Sequence, residues 1–112
     1  MPRHNLGELE QFLLLAILRL DGEAYGAAIR AEILARAGRS ITPGAIYPTL
    51  DRLEQRGLLR SRVGDPTPLP GGRSRRHFRI TAAGLAEIRQ SWAQTRALAA
   101  GLTILQKGKG DA

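Results

Sequence analysis

"TPGAIYPTLDRLEQRGLL", residues 42–59, decides how the whole chain is read. Ile46, Leu50 and Leu53 fall at i, i+4 and i+7, the spacing of one face of a helix. Thr42 is a strong N-cap and Pro43 stands at the first helical position, where a missing N–H would have had no partner anyway. Gly57 closes the segment. Pro48 breaks the pattern: it removes the N–H that would bond the Gly44 carbonyl, a defect worth about 3 kcal/mol in an ordinary helix. Residues 44 and 48 both lie on the side turned away from the apolar face. That side presents Gly44, Tyr47, Pro48, Asp51, Arg52 and Gln55, with Thr49 at its margin. Small residues let a backbone come close to a groove, and a phenol, an arginine and a glutamine reach phosphates or base edges. The face is therefore predicted to meet DNA, Thr42 included as the cap and Thr49 touching a phosphate at the edge. Asp51 would repel a polyanion unless a neighbouring arginine pairs with it.

Upstream, "LGELEQFLLLAILRLDG" (6–22) places Leu9, Leu13, Ala16, Ile17 and Leu20 on one helical face, while Phe12, Leu14, Leu15 and Leu18 widen it almost all round. A helix apolar on most sides is covered on most sides, so a second subunit is expected over part of it. "AYGAAIRAEILARAG" (24–38) follows closely, thin on the side of Gly26, Ala27 and Ala28 and capped by Gly38. Three helices with short connections make a helix-turn-helix.

Downstream the period changes from helical to alternating. "LLRSRVG" (58–64) and "RSRRHFRI" (73–80) read as strands, and "DPTPLPGG" (65–72) as the tip of a hairpin, unable to continue a ladder. Gly71 and Gly72 let the tip adapt, and Arg73, Arg75, Arg76 and Arg79 load it with charge. A recognition helix beside an arginine-rich hairpin is a winged helix-turn-helix. Thr81 caps a last helix whose Leu85, Ile88, Trp92, Thr95, Ala99 and Leu102 step by 3 and 4 as a seam of coiled-coil type. The predicted fold is mainly α with a small β-hairpin: a winged helix-turn-helix over 1–80, a C-terminal dimerisation helix over 81–106 and a disordered tail over 107–112.

Charge is segregated. The chain of 112 residues carries a net +7, and residues 39–79, with nine arginines against three acids, hold +6 of it. A localised basic surface draws a polyanion through counterion release. Cysteine is absent and the two histidines lie in different segments, so no metal cluster, cofactor site or paired nucleophile and base is legible, and an enzyme is not expected. "FLLLAIL" (12–18) is too short for a bilayer span, and no basic leader precedes it, which points to the cytoplasm.

"LGELEQFLLLAIL", "AYGAAI", "TPGAIYPTLDRLEQRGLL", "GGRSRRHFRIT" and "TAAGLAEI", in order over residues 6–90, resemble the blocks of the PadR family of winged-helix transcriptional regulators, in its short-tailed subfamily. The resemblance implies a homodimer joined by its C-terminal helices, often with help from the first helix, that represses transcription from palindromic operators. It assigns Tyr47, Pro48, Thr49 and Arg52 to the recognition helix and Gly71, Gly72 and Arg73 to the wing. It also implies a small aromatic or cationic effector near the dimer interface, where Trp92 would either pack the seam or stack on the ligand. The alternative reading is a winged-helix protein-interaction module with only non-specific affinity for nucleic acid.

Overall fold

The structure, a computed structural model, describes residues 6–66 and 74–106. Three helices come first, α1 (Glu8–Leu20), α2 (Gly26–Ala37) and α3 (Pro43–Gln55); β1 (Leu59–Pro66) and β2 (Ser74–Ile80) follow as an antiparallel hairpin, then α4 (Ala82–Ala99) and the single turn α5 (Thr103–Gln106). The apolar stripes of the helices converge on one core. Leu13 and Leu14 of α1, Ile29 of α2, and Ile46, Leu50 and Leu53 of α3 are all at 0% exposure, and Leu59 and Phe78 of the hairpin close it from below. Burying an aliphatic side chain of this size contributes about 1.5–3 kcal/mol, so the three α3 residues alone anchor that helix firmly.

The helix ends use the signals expected of them. α1 stops at Leu20, where Asp21 turns into the left-handed region and donates its N–H to the Ile17 carbonyl. Gly22 follows at φ 98°, a conformation that costs glycine nothing. α2 ends on Gly38, also left-handed. At the α3–β1 turn, the Thr81 hydroxyl donates to the Gly57 carbonyl at 2.6 Å and accepts from the Gly84 N–H at 3.0 Å. One threonine thus caps α4 and ties it to the end of α3. Gly84 lies so close to the Leu58 carbonyl that any Cβ there would overlap it.

The strand register pairs Leu59 with Ile80, Ser61 with Phe78 and Val63 with Arg76 on one side, and Arg60 with Arg79 and Arg62 with His77 on the other. Since successive side chains alternate, the first set faces the core and α3, and the second faces outward. A single further bridge joins Tyr25 to His77, with the Phe78 N–H donating to the Ala24 carbonyl at 2.8 Å.

Three sequence expectations change here. β1 does not stop before Asp65: it runs on to Pro66, which pairs with Ser74 after a register shift between Val63 and Pro66. An irregularity of that kind accommodates a proline that a regular ladder would reject. The last helix does not run continuously to 106. It ends at Ala99, Ala100 leaves helical geometry and Gly101 adopts φ 82°. The small-residue run there is largely exposed, and glycine is the residue that most readily leaves helical geometry. Leu102 therefore lies beyond the break. Finally, Ile88 is 3% exposed and belongs to the protomer's own core, with Leu85 packed half-buried beside it, so neither is a free seam position. The start of α4 is held against α1 and the hairpin, which spends those two side chains inside the protomer.

Candidate nucleic-acid interface

α3 is delivered to the surface by its own start signals. The Arg30 Nε of α2 donates to the Ile41 carbonyl at 2.7 Å, fixing the chain just before the helix, and the Thr42 hydroxyl accepts from the Ala45 N–H at 3.2 Å. With Ile46, Leu50 and Leu53 buried, Gly44, Tyr47, Pro48, Asp51, Arg52 and Gln55 are all exposed along the opposite side. Tyr47 is only partly free: its phenol rests on Gly26, where a Cβ would overlap the hydroxyl. The thin side of α2 is therefore a seat for the Tyr47 ring, and it sets where that hydroxyl points.

Pro48 lies inside α3 and leaves the exposed Gly44 carbonyl without its intrahelical donor. Thr49 is a correction. It is 3% exposed, its hydroxyl donates to the Ala45 carbonyl at 2.9 Å and accepts from Arg52 Nη2 at 3.1 Å. A hydroxyl spent on its own helix and buried is no phosphate contact; it steadies Arg52, whose remaining donors stay exposed.

The hairpin meets α3 through one polar network. Arg76 bonds Asp51 Oδ1 through Nη1 at 2.9 Å, Glu54 through Nη2, and the Ser61 hydroxyl through Nε at 3.1 Å; its guanidinium also lies 4.9 Å from the centre of the Phe78 ring. Ser61 in turn gives Glu54 its hydroxyl at 2.8 Å and its N–H at 3.1 Å. The Ser61 hydroxyl bond, with smaller help from Arg76 and the Ser61 N–H, outweighs partial burial and holds the Glu54 carboxyl below the usual range. Burial works against the charge on Arg76, and the bonds to Asp51 and Glu54 overcome it, raising its pKa further.

This network answers the sequence question about Asp51, and it revises the place of Arg76. The partner of Asp51 is an arginine of the wing rather than its neighbour Arg52. All five N–H donors of a guanidinium lie in one plane, and Arg76 directs three nitrogens at protein acceptors, so it braces the hairpin against α3 rather than standing free for DNA. Arg75 is exposed on the outward side, with its guanidinium 4.2 Å from the centre of the Tyr25 ring. Gly71, Gly72 and Arg73 lie outside the described residues.

Other arginines of the basic segment are also engaged. Arg39 pairs with Glu8 at 2.8 Å and lies over Phe12, and Arg56 pairs with Glu10 at 3.2 Å, fastening the chain on either side of α3 to α1. Arg60, Arg62 and Arg79 have no ion pair among the described residues. Sequence reasoning passed over Arg60 and Arg62; the signal available was strand alternation, which puts them with Arg79 on one face. The Tyr25–His77 bridge left no trace in the sequence, because a single bridge has no period.

Away from this face, Trp92 is 53% exposed, Leu98 83% and Leu102 48%, with Thr95 exposed and Ala99 half-buried. An apolar groove of about 480 Å³ opens between α1 and α2, lined by Phe12, Leu15, Leu18 and Ile33 among others. Among the described residues no group of acidic and histidine side chains could hold a metal ion, and no helix is long and apolar enough to cross a membrane.

Comparison with known proteins agrees with this geometry. Residues 14–90 match the transcriptional regulator PadR-like family. Transcriptional regulator Rv3488 of Mycobacterium tuberculosis is 47% identical over 70 residues, 61% of this chain, and the chain spans 59% of that protein's length. Among solved structures, a PadR family transcriptional regulator from Eggerthella lenta is 31% identical with a TM-score of 0.64, covering 88% of this chain and 84% of its own. A winged-helix DNA-binding protein from STIV, 21% identical with a TM-score of 0.65 over 81% of this chain and 90% of its own, shares the fold.

Proposed function

The chain belongs to the PadR-like family of transcriptional regulators, and from that premise we propose that it is a homodimeric repressor that reads a palindromic operator in the cytoplasm. The observation that carries the reading is the outward side of α3. It is exposed and polar, it carries no side chain at Gly44, and its one carboxylate, Asp51, is neutralised by Arg76. In this reading Arg52 and Gln55 contact base edges, Tyr47, Thr42 and the Gly44–Pro48 face meet the backbone or a thymine methyl, and Arg75 with the Gly71–Arg73 tip reaches adjacent phosphates. Two such helices would sit about 34 Å apart, one helical turn.

Support for the dimer comes from unfinished apolar surface. Trp92, Leu98, Leu102, Ile104 and Leu105 are exposed along α4 and the segment that follows it, and Leu15 and Leu18 are exposed on α1. Apolar area of that extent on a small domain marks an association surface. A second copy supplies the cover that both regions lack, and the exposed indole of Trp92 would then be where a small aromatic or cationic effector stacks.

A gel-shift titration with duplex DNA at moderate salt tests the reading. A shifted band on the selected sequence that survives excess random duplex is the expected result. Weak binding, indifferent to sequence and abolished by salt, would instead mean a protein-interaction module.

A further inference from the structure

We propose that Thr49 is a positioning residue for base recognition: its hydroxyl holds Arg52 so that the guanidinium reads a guanine in each half-site. This rests on α3 as the recognition helix, and adds which base it reads and what sets the choice. Thr49 is 3% exposed, so it acts through its neighbour, while Arg52 is exposed on the outward side. A valine would fill the space of Thr49 with no polar atom to satisfy, and a threonine inside a helix gains nothing in helix propensity. The packing of α3 alone therefore gives no reason for the hydroxyl.

Both bonds of that hydroxyl have a fixed sense. Arginine carries no acceptor, so toward Arg52 Nη2, 3.1 Å away, the oxygen accepts. A carbonyl carries no donor, so the single hydrogen goes to the Ala45 carbonyl at 2.9 Å. With its proton committed to the preceding turn, the oxygen keeps a lone pair for Arg52. No carboxylate competes for the guanidinium among the described residues. The side chains one turn away on α3 are Pro48, Thr49, Gln55 and Arg56, none of them acidic, and Arg52 enters no ion pair there. Asp51, the nearest carboxylate in sequence, is taken by Arg76 of the wing.

The tether leaves what a guanine needs. Nη2 carries two hydrogens, one in each fork that a guanidinium can present: with Nε along its side, or with Nη1 at its end. Thr49 takes one of them, and the other fork stays whole. O6 and N7 of guanine are two acceptors fixed in one plane on the major-groove edge and match such a fork, whereas adenine sets a donor beside its N7. A phosphate offers its oxygens in several directions and gains little from a guanidinium held in one plane. A free arginine loses rotamers when it binds; a tethered one has lost them already. The hydroxyl thus favours the pair of bonds that discriminates among bases.

A duplex selected from a random library by the wild-type protein, remade with each of the four bases at the position whose preference Arg52→Ala abolishes, tests the proposal by anisotropy. Wild type should bind the guanine duplex at least about tenfold more tightly than the other three. Thr49→Val keeps the shape, removes the acceptor and should cut that ratio by about two- to tenfold; Thr49→Ser keeps the acceptor and should restore it. In an Arg52→Ala background, Thr49→Val should change the ratio no further. A ratio that survives Thr49→Val, or falls as far in Thr49→Ser, would overturn the proposal. So would a further loss in the Arg52→Ala background, which would put the effect in the helix rather than in Arg52, and so would preference for a base other than guanine. Enrichment of no sequence by wild type, or a selected sequence indifferent to Arg52→Ala, would instead overturn the reading of α3 and the proposal with it.

Discussion

α3 and α4 are both amphipathic helices capped by a threonine, yet they are finished differently. α3 buries Ile46, Leu50 and Leu53 completely and turns a polar side to water. α4 buries only Gly84 and Ile88, then leaves Trp92 and Leu98 exposed further along. A helix whose free side is polar and carries a neutralised carboxylate is complete as it stands and suits a polyanion. One whose free side is apolar lacks a protein neighbour. In the proposed reading the same fold separates a surface for nucleic acid from a surface for a second copy, and within α4 the change from the protomer's own core to that second surface comes after Ile88.

That boundary can be broken at either end. Ile88→Asp should unfold the protomer, and the milder Ile88→Ala should cost about 2–4 kcal/mol of stability in urea denaturation, the range for an aliphatic cavity in a core. A folded monomer from Ile88→Asp would return that residue to the dimer seam. Leu98→Asp, at a position 83% exposed, should leave the protomer folded and shift the mass measured by light scattering from dimer to monomer. An unchanged dimer would remove the C-terminal helix from the interface.

Two further changes act where α4 and α3 meet the hairpin. Gly84→Ala pushes a methyl into the Leu58 carbonyl and should cost about 1–3 kcal/mol through displacement of α4 from the hairpin, read as a lowered midpoint. Glu54→Gln weakens the brace between α3 and the wing and should cost about 1 kcal/mol at pH 7. The folded-state pKa of Glu54 is depressed, so its contribution is complete above the unfolded value and is lost as pH falls through the folded one. The gap between Glu54→Gln and wild type should therefore narrow below about pH 4, the unfolded carboxyl range. A gap independent of pH would mean that the Glu54 charge contributes nothing. The smallest effect is on the outward face: Arg79→Glu replaces a like pair opposite Arg60 by an opposite one and should stabilise the hairpin by about 0.2–1 kcal/mol.

Most of the architecture was legible because its signals are local. Thr42 and Pro43 start α3, Thr81 starts α4, Gly38 ends α2, and the alternation around Phe78 marks a strand; each is a matter of a few adjacent residues. The outward side of α3 was equally legible, since three buried positions at helical spacing fix what lies opposite them. What the sequence hid depends on contacts between distant residues. Arg76 looks like its neighbours in "RSRRHFR", and only the packing of β2 on α3 brings it to Asp51 and Glu54. Thr49 reads as exposed until α3 is seated on the core. Ile88 continues a heptad-like run, but the start of α4 is already used against α1, and spacing alone cannot say whether a seam faces its own core or another chain's. Gly101 could be read as a tolerated glycine or a break; in a largely exposed run of small residues, it breaks.

Selection of bound sequences from a random duplex library tests the central claim, that α3 reads DNA as one of a symmetric pair, most directly. Wild type should enrich an inverted repeat with half-sites about 10 base pairs apart, centre to centre. Arg52→Ala and Gln55→Ala should each alter the enriched bases within the half-site while leaving affinity for random duplex nearly unchanged. Enrichment of no sequence, or equal losses on selected and random duplex for the two variants, would contradict it.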